Sequence, residues 1–156
     1  MSIEIDRILT RVNDIYQAAI IVNKKLNNVS CEDLCDERNL ELQAVIAWKL
    51  TIIGEASSVL LKKHPEFGKN FPEIDLLSCK RVRNLLVHEY GSVNWTMVFD
   101  TCKIIIPSII ESLNVVLKMP QDEVCSRMHN KHIPVEQEKR GYWRQTPYGL
   151  EWEDEE

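Results

Sequence analysis

The chain has 156 residues, 44% hydrophobic and 28% charged, with a formal net charge of −5. That size and composition indicate one soluble domain. The acidic balance argues against general nucleic-acid binding, which rests largely on neutralising phosphates. Five cysteines scattered among helical patterns favour reduced thiols over a disulfide framework. Residues 1–11 show no signal peptide, and no apolar run approaches the roughly 18 residues of a membrane span. We therefore expect a cytoplasmic protein without a membrane partner.

Three helices are predicted in the first half of the chain. Apolar residues recur every three or four positions over 3–27, which indicates a long amphipathic helix. Ser30 and Asp33 form a capping-box pattern that predicts a short helix over 31–36. A second long helix follows over 39–63. Proline, glycine and asparagine predict a loop over 64–72.

The next helix is predicted over 74–90, with Pro72 suited to its first turn and Gly91 as its stop signal. Its core stripe comprises Ile74, Leu77, Ser78, Val82, Leu85 and Leu86. Ser92 or Asn94 can cap a fourth helix that runs to about Lys118 and should be kinked by Pro107. No strand pattern competes with these helices. The predicted fold is all-α: an up-and-down bundle of four main helices.

The C-terminal part is predicted to differ from the bundle. We assign residues 1–118 to the bundle and 119–156 to a partly irregular extension, with a helix near 122–129. Beyond that helix, prolines and glycines argue against regular structure: Pro134, Gly141, Pro147 and Gly149. Aromatic residues follow in the same segment: Tyr142, Trp143, Tyr148 and Trp152. They can dock into a groove or belong to a mobile solvated extension.

Polar residues cluster at the end of the 74–90 helix. On a helical wheel Arg83 and Tyr90 nearly superimpose, and Asn84 and His88 share the adjoining strip. Arg83 and His88 lie roughly 140° apart around the helix axis. An arginine can hold a phosphate, an asparagine can orient it, and a histidine can exchange a proton near pH 7. The group therefore suits phosphodiester chemistry. The alternative is a polar helix face that carries an arginine and a histidine by chance.

Charge and metal-ligand patterns refine this interpretation. Residues 62–118 hold 8 basic and 6 acidic groups, the only positive third of the chain. Lys80 and Arg81 are candidate RNA-binding residues beside the motif. We predict no metal and no cofactor. The most suggestive metal-ligand set matches no common zinc module in its spacing: Cys31, Cys35, Cys125, His129 and His132.

Residues 83–90 fit an Arg-x4-His-x-Tyr signature, and the chain over about 3–118 thereby resembles the HepT-like toxins of the HEPN superfamily of helical ribonucleases. The preceding Ile53-Gly54-Glu55-Ala56 resembles a segment of the same family, as do Val93-Asn94-Trp95 and Ile106-Pro107. The likeness invites a role for Glu55, such as holding an arginine of the next helix. The alternative is a solvated surface glutamate, so Glu55 stays outside the predicted catalytic set.

The resemblance implies a HEPN-like bundle and a metal-independent endoribonuclease toxin of a type VII-like pair. It implies that Arg83 and His88 are catalytic with support from Asn84, and that the products carry a 2′,3′-cyclic phosphate. It also implies a homodimer and a nucleotidyltransferase antitoxin that attaches AMP to Tyr90.

Two rival functions stay open: a non-catalytic helical module that binds a nucleotide or a partner, and a structural dimerisation domain. Leu76 and Val87 lie off the predicted core stripe. We therefore expect the dimer to form through the motif helix and the fourth helix.

Overall fold

The computed structural model describes residues 2–86, 92–129, 141–146 and 149–154, and for the last two segments it describes the backbone. The helices are α1 (Ser2–Asn27), α2 (Cys31–Cys35), α3 (Leu40–Lys63), α4 (Pro65–Asn70), α5 (Leu76–Val82), a 3₁₀ turn (Arg83–Leu86), α6 (Trp95–Lys118) and α7 (Gln121–His129). The strands are β1 (Gly141–Thr146) and β2 (Gly149–Asp154).

The long helices α1, α3 and α6 form the bundle, with α1 packed against both α3 and α6. The core takes one face of each helix, including Ile8 and Ile15 of α1, Leu50 of α3 and Leu113 of α6. α5 packs against α3 on the side that carries the motif. The predicted all-α bundle is confirmed, although the motif helix begins at Leu76 and changes to a 3₁₀ turn at Arg83.

Local signals in the sequence set several helix ends. Ser30 and Asp33 form the predicted capping box at α2, with each side chain accepting from the other's backbone N–H. Asn94 caps α6, since its side chain accepts from the Met97 N–H at 3.1 Å. Pro107 lies inside α6. These short-range hydrogen bonds depend on residues three positions apart and can therefore be predicted from sequence.

The loop predicted over 64–72 is wrong in part, because α4 occupies Pro65–Asn70. Pro65 stands at the first turn, where a proline lacks only an N–H that would have no helical partner. Phe67 and Phe71 are fully buried and their ring centroids stack at 4.7 Å. Burial of two aromatic rings stabilises this turn despite the proline and glycine around it.

The motif helix differs most from its prediction. α5 begins at Leu76, where the Asp75 side chain accepts from the Ser78 N–H at 2.9 Å, so Pro72 lies outside it. From Arg83 the backbone tightens into the 3₁₀ turn. Buried residues recur every third position at Leu76, Cys79, Val82 and Leu85. Leu76 is only 3% exposed, so the core of one protomer accounts for it and it gives no support to a dimer.

α3 is long and apolar enough, by length and composition, to cross a membrane. The expectation that no apolar run approaches this length was therefore wrong. In the bundle α3 is a central helix, with residues such as Ile46, Leu50 and Ile53 fully buried against its neighbours. A helix that packs on two sides is apolar over most of its circumference.

α7 begins close to its predicted position and is held firmly to the bundle. The Arg127 side chain donates to the Asn70 carbonyl at 2.9 Å and to the Glu73 carboxylate at 2.7 Å. Its guanidinium also lies 4.3 Å from the centre of the Phe71 ring. Val124 is fully buried. These contacts fix α7 on α4 and the turn that follows it.

The extension ends in an antiparallel hairpin, whereas the sequence had argued against regular structure there. β1 pairs with β2 in a register that sets Trp143 opposite Trp152. Gly141 and Gly149 each begin a strand, while Pro134 and Pro147 lie outside the described residues. The two glycines therefore mark strand ends. β1 lies near α5 and β2 lies near α6, so the hairpin is close to the bundle.

Candidate active site

The candidate site starts where α5 becomes the 3₁₀ turn. Arg83 and Asn84 are the first two residues of that turn, and both are exposed. Leu85 turns inward and is buried, while Leu86 is half-buried against the core. The turn thus presents its polar residues to solvent while its leucines anchor it.

Arg83 is held by an ion pair from α3. Its Nη1 donates to Oε1 of Glu55, and the side chains of Arg83 and Glu55 are 48% and 56% exposed. An exposed pair of this kind contributes little to folding stability, typically about 0–1 kcal/mol. Its consequence is orientation, because a guanidinium with five N–H donors can bind one carboxylate and still offer donors to a phosphate.

Gly54 brings the two helices into close contact at this pair. A Cβ built on Gly54 would lie 2.6 Å from the Cβ of Arg83 and 3.3 Å from the Lys80 carbonyl oxygen. Both distances are too short for an ordinary carbon contact. Glycine at position 54 is therefore what allows Arg83 to lie against α3 beside Glu55.

Lys80 and Arg81 occupy the last turn of α5. Lys80 is exposed and Arg81 is half-buried. Together with Arg83 they give this end of α5 three basic residues in four positions, where the negative end of the helix dipole also favours cations.

His88 and Tyr90 lie outside the described residues, so the structure does not test their predicted positions. The wheel that separated Arg83 from His88 by 140° assumed an α-helix. Over Arg83–Leu86 the chain is instead a 3₁₀ turn, which advances about 120° per residue where an α-helix advances about 100°.

Potential metal ligands form two close pairs. Cys31 Sγ lies 3.9 Å from Cys35 Sγ, and Cys125 Sγ lies 3.8 Å from Nδ1 of His129. Among the described residues no three Cys, His, Asp or Glu side chains converge as a metal site would require. Burial is the largest cause that raises the pKa of the Cys31 thiol, followed by its hydrogen bond with Cys35. A raised pKa opposes the thiolate that metals bind.

Residues 6–116 match the family model described as "Ribonuclease HepT-like". The chain belongs to the HepT-like ribonuclease family. It is also 31% identical over 99 residues to a protein of Thermococcus cleftensis named "Probable ribonuclease HepT", covering 63% of this chain and 84% of that relative. No solved structure matches the chain.

The family match runs from the second turn of α1 to near the end of α6, and it includes Gly54, Glu55 and Arg83. The family resemblance suggested that Glu55 holds an arginine of the next helix. The ion pair between Glu55 and Arg83 confirms that contact. The role of Gly54 was missed. Its signal was a glycine inside an otherwise strongly apolar helix, which often marks a close approach of two backbones.

Proposed function

We propose that this chain is the toxin of a HEPN/nucleotidyltransferase toxin–antitoxin pair and acts as a metal-independent endoribonuclease in the cytoplasm. Membership of the HepT-like family implies ribonuclease activity. The observation that carries the finer proposal is the Arg83 guanidinium, which is exposed to solvent yet oriented by Glu55 and Gly54. An oriented, exposed cation is the part of the site that must meet an RNA phosphate.

The proposed reaction is transesterification within the RNA strand. The 2′-oxygen attacks the adjacent phosphorus, the bond to the 5′-oxygen breaks, and the products are a 2′,3′-cyclic phosphate and a 5′-hydroxyl. Arg83 stabilises the charge that develops on the phosphoryl oxygens, and Asn84 helps to orient the phosphate. His88 transfers a proton during this exchange. Lys80 and Arg81 add positive charge along the approach.

Neutralisation is proposed to occur at Tyr90. A partner nucleotidyltransferase with Mg²⁺ and ATP transfers AMP to the phenol oxygen, and pyrophosphate leaves. The attached phosphodiester is an anion that competes for Arg83 and occupies the space of the substrate.

A homodimer is part of the proposal, with a surface that differs from the one expected. Leu40 and Trp48 of α3 are 66% and 65% exposed. With Ala44 and Thr51 they form a strip at helical spacing that continues to Glu55. A second copy on this strip would bring two Arg83 side chains near one cleft.

The test is cleavage of a defined RNA by the purified protein, with and without EDTA, followed by analysis of the product ends. Cleavage in EDTA with cyclic phosphate ends is the expected result. Tyr90→Phe should cleave as the parent does but resist a nucleotidyltransferase supplied with ATP and Mg²⁺. Dependence on a divalent metal, or 3′-hydroxyl products, would contradict the mechanism.

The alternative is a non-catalytic module that binds RNA or a nucleotide and leaves chemistry to its partner. The exposure of Arg83 fits binding as well as catalysis. Tight RNA binding without any cleavage by the AMP-free protein would favour this alternative.

A further inference from the structure

A second cationic surface lies away from the motif, between the first turns of α1 and the end of α3. It is a groove of about 410 Å³ lined by Arg7, Thr10, Arg11, Lys63 and His64. We name this surface the α1/α3 groove. Arg7 and Arg11 are four residues apart and share one face of α1, whereas Lys63 is the last residue of α3 and His64 follows it.

Three carboxylates surround the α1/α3 groove, and two of them are directed to partners other than Arg7, Arg11 and Lys63. Arg11 Nη1 lies 3.3 Å from Oδ2 of Asp14, in a pair that is 48% and 40% exposed. His64 Nδ1 lies 3.5 Å from Oε1 of the exposed Glu4. Asp6 accepts from the Gln121 side chain at 2.8 Å, which directs one of its oxygens towards α7.

This concentration of positive charge is unexpected in a protein of net charge −5. Residues 1–61 carry 6 basic groups against 9 acidic ones, yet two of those six lie together in the groove with Lys63. Arg7, Arg11 and Lys63 are all exposed, so the core does not require them. Cations that repel one another destabilise the free surface and favour an anion between them.

We propose that the α1/α3 groove binds a backbone phosphate of the RNA substrate, at a distance from the bond that is cut. Arg7 and Arg11 supply planar guanidinium donors and Lys63 supplies a point charge, whereas the Thr10 hydroxyl donates to the Asp6 carbonyl at 2.7 Å. Glu55 and Lys63 are both on α3, eight residues apart, which is about 12 Å along the axis. Lys63 also lies about 80° around the α3 axis from Glu55, so an RNA strand that contacts both sites crosses the surface of α3. The inference rests on the proposed function for its substrate.

The experiment measures binding separately from cleavage. A fluorescent 2′-O-methyl oligoribonucleotide, which lacks the attacking hydroxyl, is titrated with the parent, Arg7→Gln/Arg11→Gln and Lys24→Gln/Lys25→Gln over a range of salt. The lysine pair is a matched control, because it removes the same charge from exposed residues at the other end of α1. Circular dichroism on each variant verifies the fold.

The arginine variant should bind the oligonucleotide on the order of tenfold more weakly near 0.1 M salt. The slope of the logarithm of its binding constant against the logarithm of salt concentration should fall in magnitude by about 1.4, if two single-strand phosphate contacts are lost. The lysine variant should match the parent. Equal losses in both variants, or in neither, would overturn the groove as a site. Competition by ATP as strong as by the oligonucleotide would show a mononucleotide site instead of an RNA one.

Cleavage of a natural RNA separates this inference from the proposed function. A raised KM with an unchanged kcat in the arginine variant is the expected outcome. Unchanged KM with normal cleavage would refute the groove and leave the ribonuclease intact. Absence of cleavage by the parent, with binding that still depends on Arg7 and Arg11, would refute the nuclease and leave the groove intact.

Discussion

The Arg83 guanidinium is bound by the Glu55 carboxylate, so the first motif residue is oriented by α3 as well as by its own helix. Two consecutive residues of α3 share this task, because Gly54 provides the space and Glu55 provides the partner. The segment that precedes the motif by some thirty residues is therefore part of the same site.

Removal of the Glu55 carboxylate should impair cleavage without unfolding the bundle. Glu55→Ala frees Arg83 to leave its position, and we expect a loss of about tenfold in kcat/KM, or about 1.4 kcal/mol. Glu55→Asp should recover part of the rate if the contact positions Arg83. A purely structural role would instead lower the melting temperature and leave the rate of the folded fraction unchanged.

Gly54→Ala should displace Arg83, because the new methyl group would lie 2.6 Å from its Cβ. We expect about 1–3 kcal/mol of destabilisation from overpacking and a fall in activity. Gly68→Ala is the control, since its Cβ would make ordinary contacts at 3.7 Å with Leu61 and Leu76. Urea denaturation of both variants compares them. Equal stability of the two would contradict close packing at Gly54.

The motif side chains should be dispensable for folding. Arg83 is exposed, so Arg83→Ala costs little packing, and His88→Ala should remove proton transfer worth about 10²- to 10⁴-fold in rate. Cleavage assays and thermal melts on both variants test this. A fully active His88→Ala protein would exclude the proposed mechanism.

A single substitution that introduces a charge can locate the dimer surface. Trp48→Glu should give a monomer by light scattering at micromolar concentration, because it places a carboxylate in the middle of the apolar strip on α3. Val115→Glu makes the same change on α6, where Val115 is 54% exposed. Dissociation by Val115→Glu alone would assign the interface to α6. A monomeric parent would exclude the dimer.

Alkaline pH should destabilise the protein through its buried thiols. Burial raises the pKa of Cys79 and of Cys102 from an ordinary 9.0 to about 12, and the charge of Asp75 adds to the shift at Cys79. The folded state binds these protons more tightly, so their contribution is complete below pH 9 and is lost as pH rises towards 12. Denaturant midpoints near pH 8 and near pH 10 should differ more in the parent than in Cys79→Ala.

Helical periodicity predicted α1, α3 and α6 with ends close to the observed ones, because each helix buries a stripe that repeats along many turns. The motif helix was harder to predict. Its buried residues recur at intervals of three, a spacing shared by α-helices and 3₁₀ turns over short stretches, so the change at Arg83 left no distinct pattern. The contact of Glu55 with Arg83 joins residues 28 apart, and only the family resemblance suggested it. The close packing at Gly54 that allows this contact was not predicted.

The family match ends at residue 116, but the physical unit extends to α7. Arg127 binds Asn70 and Glu73 and covers the Phe71 ring, and Phe71 in turn stacks on Phe67 of α4. A chain shortened to the matched region would lack Arg127 and would expose the Phe71 ring as an apolar surface close to the start of α5. A shortened chain should therefore keep α7 through His129, because the contacts of Arg127 lie outside the region that the family model matches.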